Sequence, residues 1–506
     1  MPRVPLLSGT RLVIVNAPDD ALVLRPPPPG EAVADAGAAV RDALRFPLDG
    51  PSLEALVRRR TRATIVVEPP ALPIPGSPAD PRQLAIGAVV DELERLGIPS
   101  GYQTILVACG LARRLSQREL AGLVAPDLAR RFHGRVVVHD VESPELHTLD
   151  EAARPPLRVN PALVETDLVV VVTAAESVLH GGPAALLAAA GADAQRAAGA
   201  YSLLETTASQ GWHLALALER TLARRVPLVG VSLVLNHPDV SPALRGYPYD
   251  AGALERIARS PLRHAYSVMP DFARRNVLRS IATELTAAAA FAGPPSVAHT
   301  EALLRAIERR RAELDEPLDA IVIGIPDATP YLPRERPNPL LAAYLGLGLA
   351  LRLWRDAFPL VEGGTVVLVH RFMRHFAHPT QQPYRSFFHA TRSGRDPQLL
   401  ADAERATAAD TRALDAYRAG STVHPLLPFR DWNGCQPALG RLGSVLVAGA
   451  RDAAAVRQLG FVPVHGVGAA LEIARGQGAT RIGFLLSPPY FPLRVGQQRR
   501  SLATPT

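Results

Sequence analysis

Short runs of β-branched and apolar residues alternate with longer stretches of helical spacing along most of the chain. This alternation restricts the fold more than any other feature of the sequence. RLVIVN (11–16), ATIVVEPP (63–70), TILVACG (104–110), RVVVHD (135–140), DLVVVVT (167–173) and PLVGVSLVLN (227–236) have strand length and composition. Between them, DPRQLAIGAVVDELERLGI (80–98) sets Leu84, Val89, Val90, Leu93 and Leu96 on one helical face. Strands that alternate with helices in this way form parallel sheets covered on both faces.

A second series opens at LDAIVIGIPD (318–327) and continues through GTVVLVH (364–370), SVLVAG (444–449), FVPVHGV (461–467) and RIGFLL (481–486). Helical patterns near 339–356 and 397–418 separate its members, and a long helical region, roughly 251–314, bridges the two series. The expected architecture is two α/β domains, 1–290 and 291–506, with mainly parallel sheets flanked by helices and a cleft between them. A chain of 506 residues is too long for one core, and its 47% hydrophobic content supports two. No apolar run is long enough to span a membrane; LVVVVTAA (168–175) is strand-sized. A cytoplasmic protein is expected.

Two cysteines, Cys109 and Cys435, build neither a disulfide framework nor a cysteine-rich zinc site, and buried thiols are expected. The net charge is +7, and all 55 basic residues are arginines, since lysine does not occur. The arginines are spread over amphipathic helices without interleaved aromatics. That pattern speaks against nucleic acid and suits a solvated surface or an anionic small molecule. It also rules out any chemistry that needs a lysine side chain.

In a parallel sheet, ligands gather at the carboxyl ends of the strands. Three such ends stand out. TILVACGLARR (104–114) closes on Gly110-Leu111-Ala112-Arg113. RVVVHD closes on His139-Asp140, a pair more often structural than catalytic. VETDLVVVVTAAESVLHGG (164–182) closes on a glycine turn that either cradles a phosphate or simply reverses the chain. In order and content these stretches, with VSLVLN (231–236), DAIVIGIPD (319–327) and VEGGTVVLVH (361–370), resemble the nickel-dependent lactate racemase family.

The resemblance implies a nickel pincer nucleotide that takes hydride from C2 of a hydroxy acid. It further implies two histidines exchanging the hydroxyl proton, an arginine on the carboxylate and a lysine anchoring the cofactor. Of the family's Gly-Leu-His-Arg, this chain keeps Gly110, Leu111 and Arg113 but holds Ala112 at the histidine. The family's acidic residue falls on Glu68 and its arginine near Leu72. Its second histidine falls near Val178, with Glu176 matching and His180 two residues later. No lysine is available for the anchor. The groups left for catalysis at these turns are Glu68, Arg113, Glu176 and His180.

The second series contributes three polar stretches. DATPYLPRERPNPL (327–340) places Arg334 and Arg336 after a strand, with Asn338 and Pro339 suited to opening a helix. VHRFMRHFAHPTQQPYRSFFHATR (369–392) holds Arg371, Gln381, Tyr384 and Arg385, which suit a carboxylate or phosphate. His375 and His378, three apart, form a possible metal pair, although Pro379 disfavours helix at His378. HPLLPFRDWNGCQP (424–437) contains Trp432, and the family contributes a tryptophan from its second domain to the pocket.

Three readings follow. The first is an isomerase-type scaffold that binds a hydroxy acid or similar small anion, with the nickel-pincer residues largely replaced. The second is a non-catalytic binding or regulatory homologue. The third is a different metal-dependent enzyme built on the His/Arg stretch at 370–389.

Overall fold

The computed structural model describes residues 2–58, 60–72, 80–120, 122–241, 244–328, 336–390 and 396–496. Arg334 and the middle of the 327–340 stretch lie outside the described residues. The fold is α/β, as the alternation implies, and is built on two six-stranded sheets. The first runs in the order Ala287–Gly293, Leu228–Leu235, Leu168–Ala174, Ala63–Val67, Gln103–Val107, Arg135–Val138. Its contacts are parallel except at Leu228–Leu235 with Ala287–Gly293.

The central strand Leu168–Ala174 is buried at every position. Leu168, Val170 and Val172 join the core under the helices Ala36–Arg45 and Pro81–Arg95, while Val169 and Val171 join the opposite core under Gln210–Ala223. A strand sandwiched this way has no solvent face, so it reads as a continuous apolar run. Each such side chain contributes about 1.5–3 kcal/mol through burial.

The second sheet is parallel throughout: Val462–Val464, Ser444–Ala448, Leu360–Val369, Leu318–Gly324, Ile482–Leu485 and Leu22–Leu24. Its last strand comes from the N-terminus, which the expected 1–290 division had assigned to the first unit. The hairpin Arg3–Ser8/Arg11–Asn16 also packs here, and Gly9 N donates to Ile325 O at 2.7 Å. Val4, Leu6 and Val15 share a core with Ala320, Val322 and Phe484.

The long helical bridge differs from expectation. Ala251–Arg259, Leu262–Val268 and Asp271–Ser280 are helices, but Ala287–Gly293 is an antiparallel edge strand before the helix Pro295–Arg310. Alanine favours helix, but the ladder offered by Leu228–Leu235 overrides that local preference. No helix among the described residues is long and apolar enough to cross a membrane.

Candidate functional site

Adjacent strands Leu168–Ala174, Ala63–Val67 and Gln103–Val107 end side by side, and the turns that follow them line one cavity of about 540 Å³. From this half it receives Glu68, Ala112, Arg113 and His180. The opposite wall comes from the second half, with Tyr344 and Arg352 on a helical segment and Arg430, Asp431 and Asn433 on the helix Leu427–Leu439. The halves are joined around this space. Leu203 N donates to Arg352 O at 2.7 Å, His424 N to Leu111 O at 3.1 Å, and Arg196 pairs with Glu404 at 3.0 Å.

The turn after Leu168–Ala174 fixes two of the polar groups. Gly181 (φ 94°) and Gly182 (φ 53°) both adopt left-handed backbone conformations. A Cβ on Gly182 would lie 2.3 Å from Cβ of His299, so only glycine fits there. Gly181 N donates to Glu68 Oε2 at 2.8 Å and Gly182 N to Thr173 Oγ1 at 2.9 Å. Those N–H groups are committed inside the protein, so the turn does not cradle a phosphate.

Glu68 is part-buried, and its other oxygen, Oε1, has no hydrogen bond among the described residues. Burial pushes its carboxyl up to about 8. The nearby Glu176 acts in the same direction, while the Gly181 N–H and Arg430 oppose it. His180 Nδ1 lies 2.9 Å from Ser177 Oγ, and that oxygen also accepts from Leu179 N at 3.2 Å. Burial pushes the imidazole down to about 3, helped by Arg430 and Arg352.

Arg352 is the group sequence reasoning missed. It is 4% exposed. Nη1 donates to Gly348 O at 3.1 Å, Nη2 donates to Ala200 O across the junction of the halves, and Nε has no partner. Among the described residues no carboxylate pairs with it. A buried guanidinium bonded only to carbonyls is expensive unless an anion joins it. Its signal was present in the sequence: a single arginine interrupts the otherwise apolar run LGLGLALRLW (345–354).

Other expected residues are placed differently. Glu176 is buried and accepts from Ala71 N at 2.7 Å, Leu72 N at 3.0 Å and Arg82 Nη1 at 2.8 Å. It secures the loop that carries Glu68 and lines a small neighbouring pocket of about 30 Å³. Arg113 lines the main cavity and pairs with Glu119, which also accepts from Ser116 N and Oγ. His139 is buried against Ala190 O and Asn160, the structural reading of that pair.

The 369–392 stretch is not a polar loop at the cavity. Gln382–Ala390 is a helix that buries Tyr384, Phe387 and Phe388. Tyr384 donates its hydroxyl to Asp431, so it supports a cavity residue from behind. Gln381 is buried with Nε2 on Arg336 O at 2.8 Å, and Arg336 pairs with Asp271 at 3.0 Å. Neither Arg371 nor Arg385 lines the cavity, and Arg385 is exposed. Trp432 turns into the core, with ring centroids 6.5 Å from Phe387 and 6.3 Å from Phe461.

The expected metal pair is not formed on a helix. His375 and His378 are exposed, Pro379 breaks the backbone as its ring requires, and His378 Nδ1 caps Thr380 N at 3.3 Å. Among the described residues no three His, Cys, Asp or Glu side chains are grouped to hold a metal ion. Both cysteines are buried and free, and burial pushes the Cys109 thiol up to about 12.

Comparison with known proteins agrees with this picture of the fold. The family model of the lactate racemase N-terminal domain matches residues 9–180. The lactate racemase apoprotein from Thermoanaerobacterium thermosaccharolyticum superposes with a TM-score of 0.60 at 15% identity, covering 97% of this chain and 100% of that one. A protein from Thermotoga maritima of known crystal structure gives a TM-score of 0.52 at 12% identity, covering 93% of this chain and all of that one. No curated protein matches in sequence. At these identities the two structural likenesses concern the fold.

Proposed function

Since residues 9–180 match the family model of the lactate racemase N-terminal domain and the chain takes the lactate racemase fold, we propose that this protein binds a small carboxylate in the cavity between its halves. A hydroxy acid or closely related anion is the class of ligand. The observation that carries this reading is Arg352, a buried guanidinium with no carboxylate partner among the described residues, on the wall opposite Glu68 and His180. A bound carboxylate supplies the missing countercharge, and Arg430 adds to the positive potential at the same wall.

A nickel nucleotide anchored through lysine does not fit this chain. There is no lysine to anchor it, the racemase histidine position falls on Ala112 on the cavity wall, and among the described residues His180 is the one imidazole lining the space. The chemistry available is that of Glu68 and His180 as proton-transfer groups, beside an arginine that orients the carboxylate. The protein is thus an isomerase-type scaffold on which acid–base groups stand where the family places nickel chemistry.

Thermal unfolding with lactate, other short carboxylates and the neutral lactamide tests this reading. At a hundredfold excess over Kd, a ligand confined to the native state contributes about 2.7 kcal/mol. Carboxylates are expected to raise Tm by a few degrees, lactamide is not, and Arg352→Met is expected to lose the response. Equal shifts with lactamide, or no shift with any carboxylate at millimolar concentration, would overturn it.

A further inference from the structure

We propose that Glu68 and His180 form a metal-free acid–base pair that enolises a short 2-oxo carboxylate and, where C3 carries a hydroxyl, moves the carbonyl from C2 to C3. This deepens the binding reading and rests on it. The pair is held by one turn. His180 immediately precedes Gly181, whose N–H holds Glu68 Oε2 at 2.8 Å and leaves Oε1 unbonded among the described residues. Both residues line the cavity that Arg352 enters from the other half.

The tautomer of His180 follows from its neighbours. Ser177 Oγ accepts the Leu179 N–H at 3.2 Å and has one proton to give, which we assign to Nδ1 of His180, 2.9 Å away. Nδ1 is then an acceptor and Nε2 carries the ring proton. Burial keeps this imidazole neutral near pH 7, a hydrogen-bond donor suited to a carbonyl oxygen rather than a strong acid. The same burial sets Glu68 to gain or lose a proton near physiological pH.

The step balances without an outside reagent. Glu68 takes a proton from C3, the C–H pair becomes the C2–C3 double bond, and the carbonyl π pair moves to O2, which takes the Nε2 proton. In a 3-hydroxy-2-oxo acid, Glu68 then returns its proton to C2. The 3-hydroxyl proton goes back to Nε2, and C3 becomes the carbonyl. No electrons leave the substrate, so no redox partner is needed. Arg352 holds the carboxylate, which fixes C3 toward one end of the cavity.

The test is deuterium incorporation at C3 of pyruvate and of hydroxypyruvate in D2O, followed by NMR on EDTA-treated protein. Ligand-dependent Tm is recorded on the same samples. At substrate concentrations below saturation, exchange is expected to rise with pH through about 8, as Glu68 of the free protein ionises. It is expected to fall about 100-fold or more in Glu68→Gln. Hydroxypyruvate is also expected to yield its aldehyde isomer. His180→Gln retains an N–H donor and is expected to lose less than Glu68→Gln.

A Tm shift without exchange overturns the acid–base pair and leaves the binding reading standing, whereas no Tm shift overturns both. Exchange that EDTA abolishes also overturns the proposal. So does wild-type exchange that does not rise toward pH 8, a result that stands even if the variants fail to fold.

Discussion

Replacing Glu68 by glutamine should flatten the pH dependence of stability. The carboxyl titrates near 4.5 when exposed and is pushed up to about 8 in the folded protein, chiefly by burial. A raised carboxyl pKa favours the protonated form in the native state. Its contribution to stability is therefore fully present below about pH 4.5 and is lost as pH rises through about 8. At about 1.36 kcal/mol per pKa unit, the whole shift corresponds to a ceiling of about 5 kcal/mol. Glu68 is only part-buried, and solvent screening reduces the expected loss to about 2–3 kcal/mol. That corresponds to a fall in Tm of about 2–5 °C between about pH 5 and about pH 9. Glutamine keeps the shape and an acceptor for Gly181 N–H but does not titrate. Buried imidazoles such as His139 and His299, both pushed down to about 4, act alike in the two proteins and cancel in the comparison. Thermal scans of wild type and Glu68→Gln across this range give the difference directly. Parallel profiles would show that Glu68 is solvated and ionised at neutral pH, which refutes the reasoning.

Two further substitutions probe the scaffold of the site. Glu176→Ala removes the acceptor for Ala71 N, Leu72 N and Arg82, and denaturant unfolding is expected to show a loss of about 2–4 kcal/mol. An unchanged midpoint would mean the loop carrying Glu68 is held by something else. Gly182→Ala forces a Cβ against His299, whose ring is fixed by Ser177 O at 3.0 Å, and is expected to cost about 3 kcal/mol or more. Stability within about 0.5 kcal/mol of wild type would contradict the described turn.

The fold was legible where each strand's environment is uniform. Leu168–Ala174 is apolar on both faces because helices cover both, so its sequence states its position. Ala287–Gly293 was not legible, because its strand conformation comes from a partner about 60 residues away in sequence, at Leu228–Leu235. The N-terminal strand Leu22–Leu24 likewise owes its place to Ile482–Leu485, at the other end of the chain. Glu68 and His180 could be located from the sequence because strand ends announce themselves, and both line the cavity. Tyr384 and Trp432 misled for a physical reason: an aromatic residue in a polar stretch looks like a ligand contact, yet Tyr384 packs beneath the helix that carries Arg430 and Asp431, and Trp432, on that same helix, faces the core.

The distribution of charge around the cavity argues for a ligand more strongly than any single motif does. Several buried charges elsewhere in the protein are matched. Glu176 has Arg82, and Glu92 has Arg45 and Arg95. Asp431 has the Tyr384 hydroxyl. Arg352 and Arg310 are instead bonded only to carbonyls, and of the two Arg352 lines the cavity, between two halves that are hydrogen-bonded to each other through its own carbonyl and Nη2. A buried guanidinium bonded only to carbonyls carries a desolvation cost. An anion that completes the pair recovers that cost on binding, so affinity and stability should rise together. The same anion would lie beside Glu68 and favour its protonated form, because two carboxylates in one cavity repel. Carboxylate binding should therefore take up a proton above neutral pH. Titration calorimetry in buffers of different ionisation enthalpy measures that uptake, and binding without it at about pH 8 would place the anion away from Glu68.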